Sequence, residues 1–89
     1  MNMHYPYEEG ILKSYALILI TQRPRPERGI NIADPVGLHL EVFYSDCREE
    51  LIDEVLIPAR ETGILFSGRL YNLNGHLDAQ QWKPLVLSN

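Results

Sequence analysis

The sequence predicts a mainly β fold, a small antiparallel barrel carrying one α-helix in the order β-β-β-α-β-β, with an α+β arrangement on an antiparallel sheet as the alternative. Three observations predict it. Apolar residues alternate with period two in several stretches, a single stretch around residues 46–57 has helical spacing, and an Asn74-Gly75 pair separates two apolar runs near the end of the chain.

Taken in order, residues 1–9 (Met-Asn-Met-His-Tyr-Pro-Tyr-Glu-Glu) are short and interrupted by proline, and are expected to form a flexible lead-in to a single small domain over residues 10–89. Residues 10–22 read as one long strand. Tyr15, Leu17 and Leu19 fall on one side and Ala16, Ile18 and Ile20 on the other, so the strand is apolar both ways and belongs at the centre of a sheet. Arg23-Pro24-Arg25-Pro26-Glu27-Arg28-Gly29 should break it into an extended loop, because two prolines fix φ and remove donors. A short strand is expected at Ile30-Asn31-Ile32, closed by Asp34-Pro35.

Leu38, Leu40, Val42 and Tyr44 alternate with His39, Glu41, Phe43 and Ser45, which predicts a half-buried strand with the second set toward water. The helix follows. Asp46 is the expected N-cap with Glu49 three residues on, Leu51, Ile52, Val55 and Leu56 make the apolar stripe, and Pro58 should end it. Ile64, Phe66 and Leu70 are expected on one face of the next strand and Leu65, Ser67, Arg69 and Tyr71 on the other, with Gly68 marking a bulge or bend. Asn74-Gly75 is a strong two-residue hairpin signal, since both central positions of a type I′ turn need positive φ. That turn would set Leu70 opposite Ala79 and Trp82 across from Ser67, on the Arg69 and Tyr71 side. Pro84 then confines the last strand to an edge or an ending.

This element order resembles a five-stranded OB-fold with its helix between the third and fourth strands. His39-Leu40-Glu41-Val42-Phe43-Tyr44, the helix, Gly63-Ile64-Leu65-Phe66-Ser67-Gly68-Arg69-Leu70 and the Trp82 strand together resemble bacterial single-stranded-DNA-binding proteins and their primosomal replication relatives, over about half the chain. The resemblance implies an OB-like barrel, dimeric in form, with the loop after the first strand (Arg23 to Arg28) and the last hairpin (Tyr71 to His76) flanking a ligand groove.

Size and composition set the outer bounds. Eighty-nine residues, 45% hydrophobic and 22% charged, make one modest core that self-association would help. The longest apolar run, Tyr15 to Ile20, is far short of the roughly 18 residues of a membrane span. An acidic start, no basic n-region and a single Cys47 lead to the expectation of a cytoplasmic protein with no membrane role. The net charge of −4 weighs against a protein devoted to gripping phosphate, yet it is unevenly spread. Lys13 to Arg28 carries a local +3, whereas Glu41 to Glu61 carries seven acids against Arg48 and Arg60.

No residue pattern points to catalysis, a cofactor or a metal. His4, His39 and His76 are far apart with no second ligand at metal-site spacing. Cys47 sits among Asp46, Glu49 and Glu50, which disfavour a thiolate. Glu49, Glu50, Asp53 and Glu54 have the spacing of a solvated helix face. A non-enzymatic binding module is the expected class, with two functional readings. In the first it binds single-stranded nucleic acid in replication or repair, with Arg23, Arg25, Arg28 and Arg69 meeting phosphates and Tyr71 and Trp82 stacking on bases. In the second it is a protein-interaction or accessory subunit, a homo-oligomer in one form, whose Tyr71 and Trp82 face is buried against a partner or a second copy.

Overall fold

A computed structural model describes residues 5–24 and 36–87. The predicted strand at Ile30-Asn31-Ile32 lies outside them, as do Arg25 and Arg28. The described chain is mainly β, with two antiparallel sheets and one helical segment. Strands β1 (Tyr7–Glu8) and β2 (Ile11–Leu12) form a small hairpin, and β3 (Tyr15–Pro24), β4 (Val36–Ser45), β5 (Leu65–Asn72) and β6 (Lys83–Leu85) form a sheet in the order β4-β3-β5-β6. Strands β4 and β6 are its two edges and do not pair with one another, so the sheet is open and no closed barrel forms among the described residues.

Regular structure starts inside the stretch expected to be a lead-in. Glu9 and Gly10 both take positive φ and close the β1–β2 turn. The expected long strand is then split at Lys13-Ser14, where Ser14 leaves the ladder. Its N–H and hydroxyl both donate to Asp46 Oδ1, at 3.0 and 3.2 Å, and its carbonyl accepts from Leu73 N–H at 2.9 Å. Asp46 is thereby taken away from the helix it was expected to cap. Cys47 is the N-cap residue instead, without a side-chain bond to a backbone N–H of the first turn, and Ser45 Oγ accepts from Cys47 N–H at 3.0 Å.

The helical segment runs from α1 (Arg48–Leu51) through a π turn (Ile52–Leu56) into α2 (Ile57–Glu61). Pro58 was expected to end it and does not. It stands in the first turn of α2, where a missing N–H is tolerated, and the widened turn just before it absorbs the lost hydrogen bond and the ring's bulk. The predicted stripe does the packing. Leu51 and Leu56, with Ala59, are buried against Leu17, Leu19 and Leu70 of the sheet, with Ile52 and Val55 packed beside them.

Tyr15, Leu17 and Leu19 therefore face the helix, and register carries that choice to the neighbours. Leu17 lies between Phe43 on β4 and Leu70 on β5, and Leu19 between Glu41 and Gly68. The expected faces of β4 are accordingly reversed. Phe43 packs on the core, while Leu38 and Leu40 are 60% and 62% exposed on the far side. Antiparallel partners directly opposite each other share a face, so the helix docked over Leu17 decides which half of β4 turns inward.

On β5 the irregularity falls at Phe66 rather than at Gly68. Ile20 pairs with Ser67 but Thr21 pairs with Leu65, which leaves Phe66 as the extra, exposed residue and returns Leu65 to the helix side. The Asn74-Gly75 turn forms as predicted, with φ of 57° and 78° and His76 N–H donating to Leu73 O at 3.0 Å. The returning register differs. Asp78 Oδ1 accepts from Gln80 N–H at 3.0 Å and opens a 3-10 turn at Ala79–Gln81, so pairing resumes only at Lys83 and sets Leu70 opposite Leu85 instead of Ala79.

Candidate functional site

The helix covers one side of the four-stranded sheet, and among the described residues no helix or second sheet packs on the other, here called the open side. Its residues can be read in rows across β4, β3 and β5. Tyr44, Ala16 and Tyr71 form the first row, Val42, Ile18 and Arg69 the second, Leu40, Ile20 and Ser67 the third, and Leu38 beside Gln22 the last. Aliphatic side chains dominate, and Arg69 is the one charged residue among the described members of these rows.

Trp82 closes one end of the face. Its ring centroid lies 6.1 Å from that of Tyr44, nearly perpendicular to it, and 6.2 Å from that of Tyr71. The indole Nε1–H donates to His76 O at 2.8 Å, which fixes the ring's direction. Ala16, between the two tyrosines, is fully buried although it lies on the open side. The three rings thus make a wall over Ala16. Burial in that wall pushes the Tyr44 hydroxyl above the ordinary phenol range.

Of the six residues expected to form a binding site, the structure gathers three. Arg69, Tyr71 and Trp82 share the open side, with Arg69 one row below Tyr71. Trp82 reaches this side through its cluster with Tyr71 and Tyr44, not through the expected pairing with Ser67. Arg23 has its backbone on β3 opposite Gly37, while Arg25 and Arg28 are outside the described residues. Tyr44 and the aliphatic rows were not singled out from the sequence. The signal that could have found them is the two-sided apolarity of β3, since one helix can cover only one of its faces.

The acidic run from Glu49 to Glu54 sits on the helical segment, on the opposite layer. Asp53 and Glu54 are exposed on the helical segment, Glu50 Oε1 accepts from Ser45 Oγ at 2.8 Å, and Glu49 is held below the usual carboxylate range by its own backbone N–H, by Arg48 and by the Cys47 thiol. No three His, Cys, Asp or Glu side chains among the described residues converge on a point where a metal could bind. A groove of about 570 Å³ runs between the helical segment and the chain end, lined by Arg48, Arg60, Leu56, Leu70, Val86 and Leu87. No described helix is long and apolar enough to cross a membrane. No family model, curated protein or solved structure matches the chain.

Proposed function

We propose that the chain is a non-enzymatic binding module whose open sheet face receives an apolar protein surface. One observation carries this reading: Leu38 and Leu40 stand 60% and 62% exposed beside Val42, Ile18 and Ile20, forming a contiguous aliphatic face with a single described cation. Contiguous apolar surface on this scale marks interaction sites, since isolated exposed leucines are ordinary but an uncovered sheet face is not. We take the sheet to be an open relative of the OB-like barrel, with the helix still entering between β4 and β5. Cys47, exposed and unpaired, agrees with a reducing cytoplasmic setting.

The second reading is single-stranded nucleic-acid binding, and the pairing of Arg69 with Tyr71 and Trp82 on one side favours it. Two features rank it second. The three rings are packed edge-to-face or tilted on one another, with the Trp82 N–H already bonded, whereas base stacking needs a free ring face. The net charge of −4 also opposes a polyanion. Titration with a single-stranded oligonucleotide, followed by Trp82 emission at two ionic strengths, separates the readings. Emission that stays constant at low salt is the expected result, and quenching that weakens steeply with salt would reverse the order.

A further inference from the structure

We propose that the outer edge of β4 pairs with the same edge of a second copy of this chain, antiparallel about a two-fold axis at Leu40, joining the two four-stranded sheets into one of eight strands. The pairing uses a strand edge and not the open face, so it stands whatever that face binds.

The two edges of the sheet differ in how they meet solvent. β6 is three residues long and carries Pro84, which cannot donate and blunts that edge. β4 is ten residues long, contains no proline, lysine or arginine, and keeps unbroken register with β3 from Ser45 to Val36. No described strand pairs with its far side. Every second residue of such a strand turns its N–H and C=O away from β3, and a row of these groups is a template for another strand.

The order of residues on β4 identifies that other strand. A two-fold axis through an antiparallel pair sets one residue opposite its own copy, so each possible register is defined by its central residue. Centred on Leu40, the register places His39 opposite Glu41 of the second copy, and Glu41 opposite its His39. A ring N–H thus meets a carboxylate twice. Within one chain His39 Nε2 already lies 3.9 Å from Glu41 Oε1, so the two imidazoles and two carboxylates close into an alternating square around the axis. On the open side Leu38 meets Val42 and Leu40 meets Leu40, which are favourable cross-strand pairs. Gly37 falls opposite Phe43, and a β-carbon at Gly37 would meet nothing within 4 Å, which leaves space beside the ring. Moving the centre by one residue removes this match. A centre at Glu41 opposes two carboxylates, and a centre at His39 opposes two imidazoles and leaves Glu41 against Gly37. No other centre sets His39 against Glu41.

The rest of the fold permits the join. The helical segment packs on Leu17, Leu19 and Leu70, over β3 and β5, and Ser45 at its start is about 17 Å from the axis at the usual strand rise. The two helical segments therefore flank the seam without contesting it. Both open faces lie on one side of the joined sheet, where Leu38, Leu40 and Val42 of the two copies form one wider apolar surface.

Single cysteines on a Cys47→Ser background test the register. Opposed Cα atoms in antiparallel strands are about 4.5–5.5 Å apart, within disulfide reach, so Leu40→Cys should give a covalent dimer on mild oxidation. Leu38→Cys, at 60% exposure against 62%, stands about 14 Å from its own copy in this register and should stay largely uncrosslinked. Charge reversal tests the pairing without a crosslink. In sedimentation equilibrium His39→Glu and Glu41→Lys should each weaken the dimer about 10-fold, because each change enters twice, and the double variant should recover most of that loss. Both residues lie on the helix side of the sheet, so a dimer formed through the open face would not respond this way. Equal crosslinking at positions 38 and 40, charge reversals without effect or without rescue, or a chain that stays monomeric at all concentrations would each overturn the proposal. None of these results touches the reading of the open face, which the oligonucleotide titration decides separately.

Discussion

Gly68 on β5 lies so close under the helical segment that a β-carbon there would sit 2.5 Å from Leu56 Cδ1. Leu56 is itself 2% exposed and packed into the core, so it cannot swing aside without disturbing Leu17 and Leu70. The glycine is what lets the helix settle on the sheet at this depth. Gly68→Ala should destabilise the fold by about 1–3 kcal/mol through overpacking, read as a lower urea midpoint with an unchanged slope. Leu56→Ala alone should cost about 2–5 kcal/mol, and the double variant should fall short of the sum because the added methyl enters the space vacated. Additive costs would show that the two sites do not touch in solution.

Trp82 joins the end of the open face to the 76–82 connection. Trp82→Phe keeps an aromatic ring over Ala16 but loses the bond to His76 O, and should cost about 1 kcal/mol. Trp82→Ala also uncovers Ala16 and strips Tyr44 and Tyr71 of their ring contact, for about 2–3 kcal/mol, below the range for a fully buried aromatic because Trp82 is half-buried. It should further bring the Tyr44 hydroxyl back toward the ordinary phenol value, which the pH dependence of the assigned Tyr44 ring carbon-13 shift reads separately from the other four tyrosines. The sign for stability follows. A phenol whose ionisation is raised by burial stabilises the fold below the unfolded-state value, and that contribution is lost as pH rises through the folded one.

The elements that local chemistry decides were legible in the sequence. The positive-φ pair Asn74-Gly75 could only be a tight turn, and the Leu51, Ile52, Val55, Leu56 spacing could only present one apolar stripe. What escaped depends on choices made across the fold. Leu38 to Ser45 alternates well in either orientation, and the registry with Leu17 decides which half faces the core. Asp46 has the right chemistry for a cap, but Ser14, distant in sequence, claims it. The site shows the same division. Tyr71 and Arg69 share a side by strand periodicity alone, whereas Tyr44 joins them only because β3 stands between β4 and β5.

Ser45 ties β4 to the helical start from a position 4% exposed. Its hydroxyl donates to Glu50 Oε1 at 2.8 Å and accepts from Cys47 N–H at 3.0 Å. Ser45→Ala leaves that N–H and the carboxylate without this link, and should destabilise by about 1–2 kcal/mol, the range for losing a helix-start cap. Glu50→Gln keeps an acceptor for the hydroxyl and should cost less than half as much. The comparison needs only thermal melts of the two variants. An equal loss in both would assign the effect to the Glu50 charge instead of the Ser45 hydrogen bonds.

The N-terminal hairpin carries its own pH window. Lys13 Nζ donates to Glu8 Oε1 at 2.9 Å and lies 3.8 Å from Asp46 Oδ2, which connects β1 and β2 to the turn after β4. The hydrogen bond from Lys13, then its charge, holds the Glu8 carboxyl below the usual range, and the same bond raises the Lys13 ammonium. The two shifts act at opposite ends of the scale. A depressed carboxyl contributes stability that is present above its unfolded value and lost as pH falls through the folded one. A raised ammonium contributes stability that is present below its unfolded value and lost as pH rises through the folded one. Between the ordinary Glu and Lys values, about 4.3 and 10.4, the hairpin should hold its native Leu12 and Tyr7 amide shifts. Both should move together on leaving that window at either end. Lys13→Gln should return the Glu8 carboxyl titration, followed by carbon-13 shifts, to the ordinary range and abolish the alkaline transition. A Glu8 midpoint unmoved by Lys13→Gln would mean that the pair does not persist in solution.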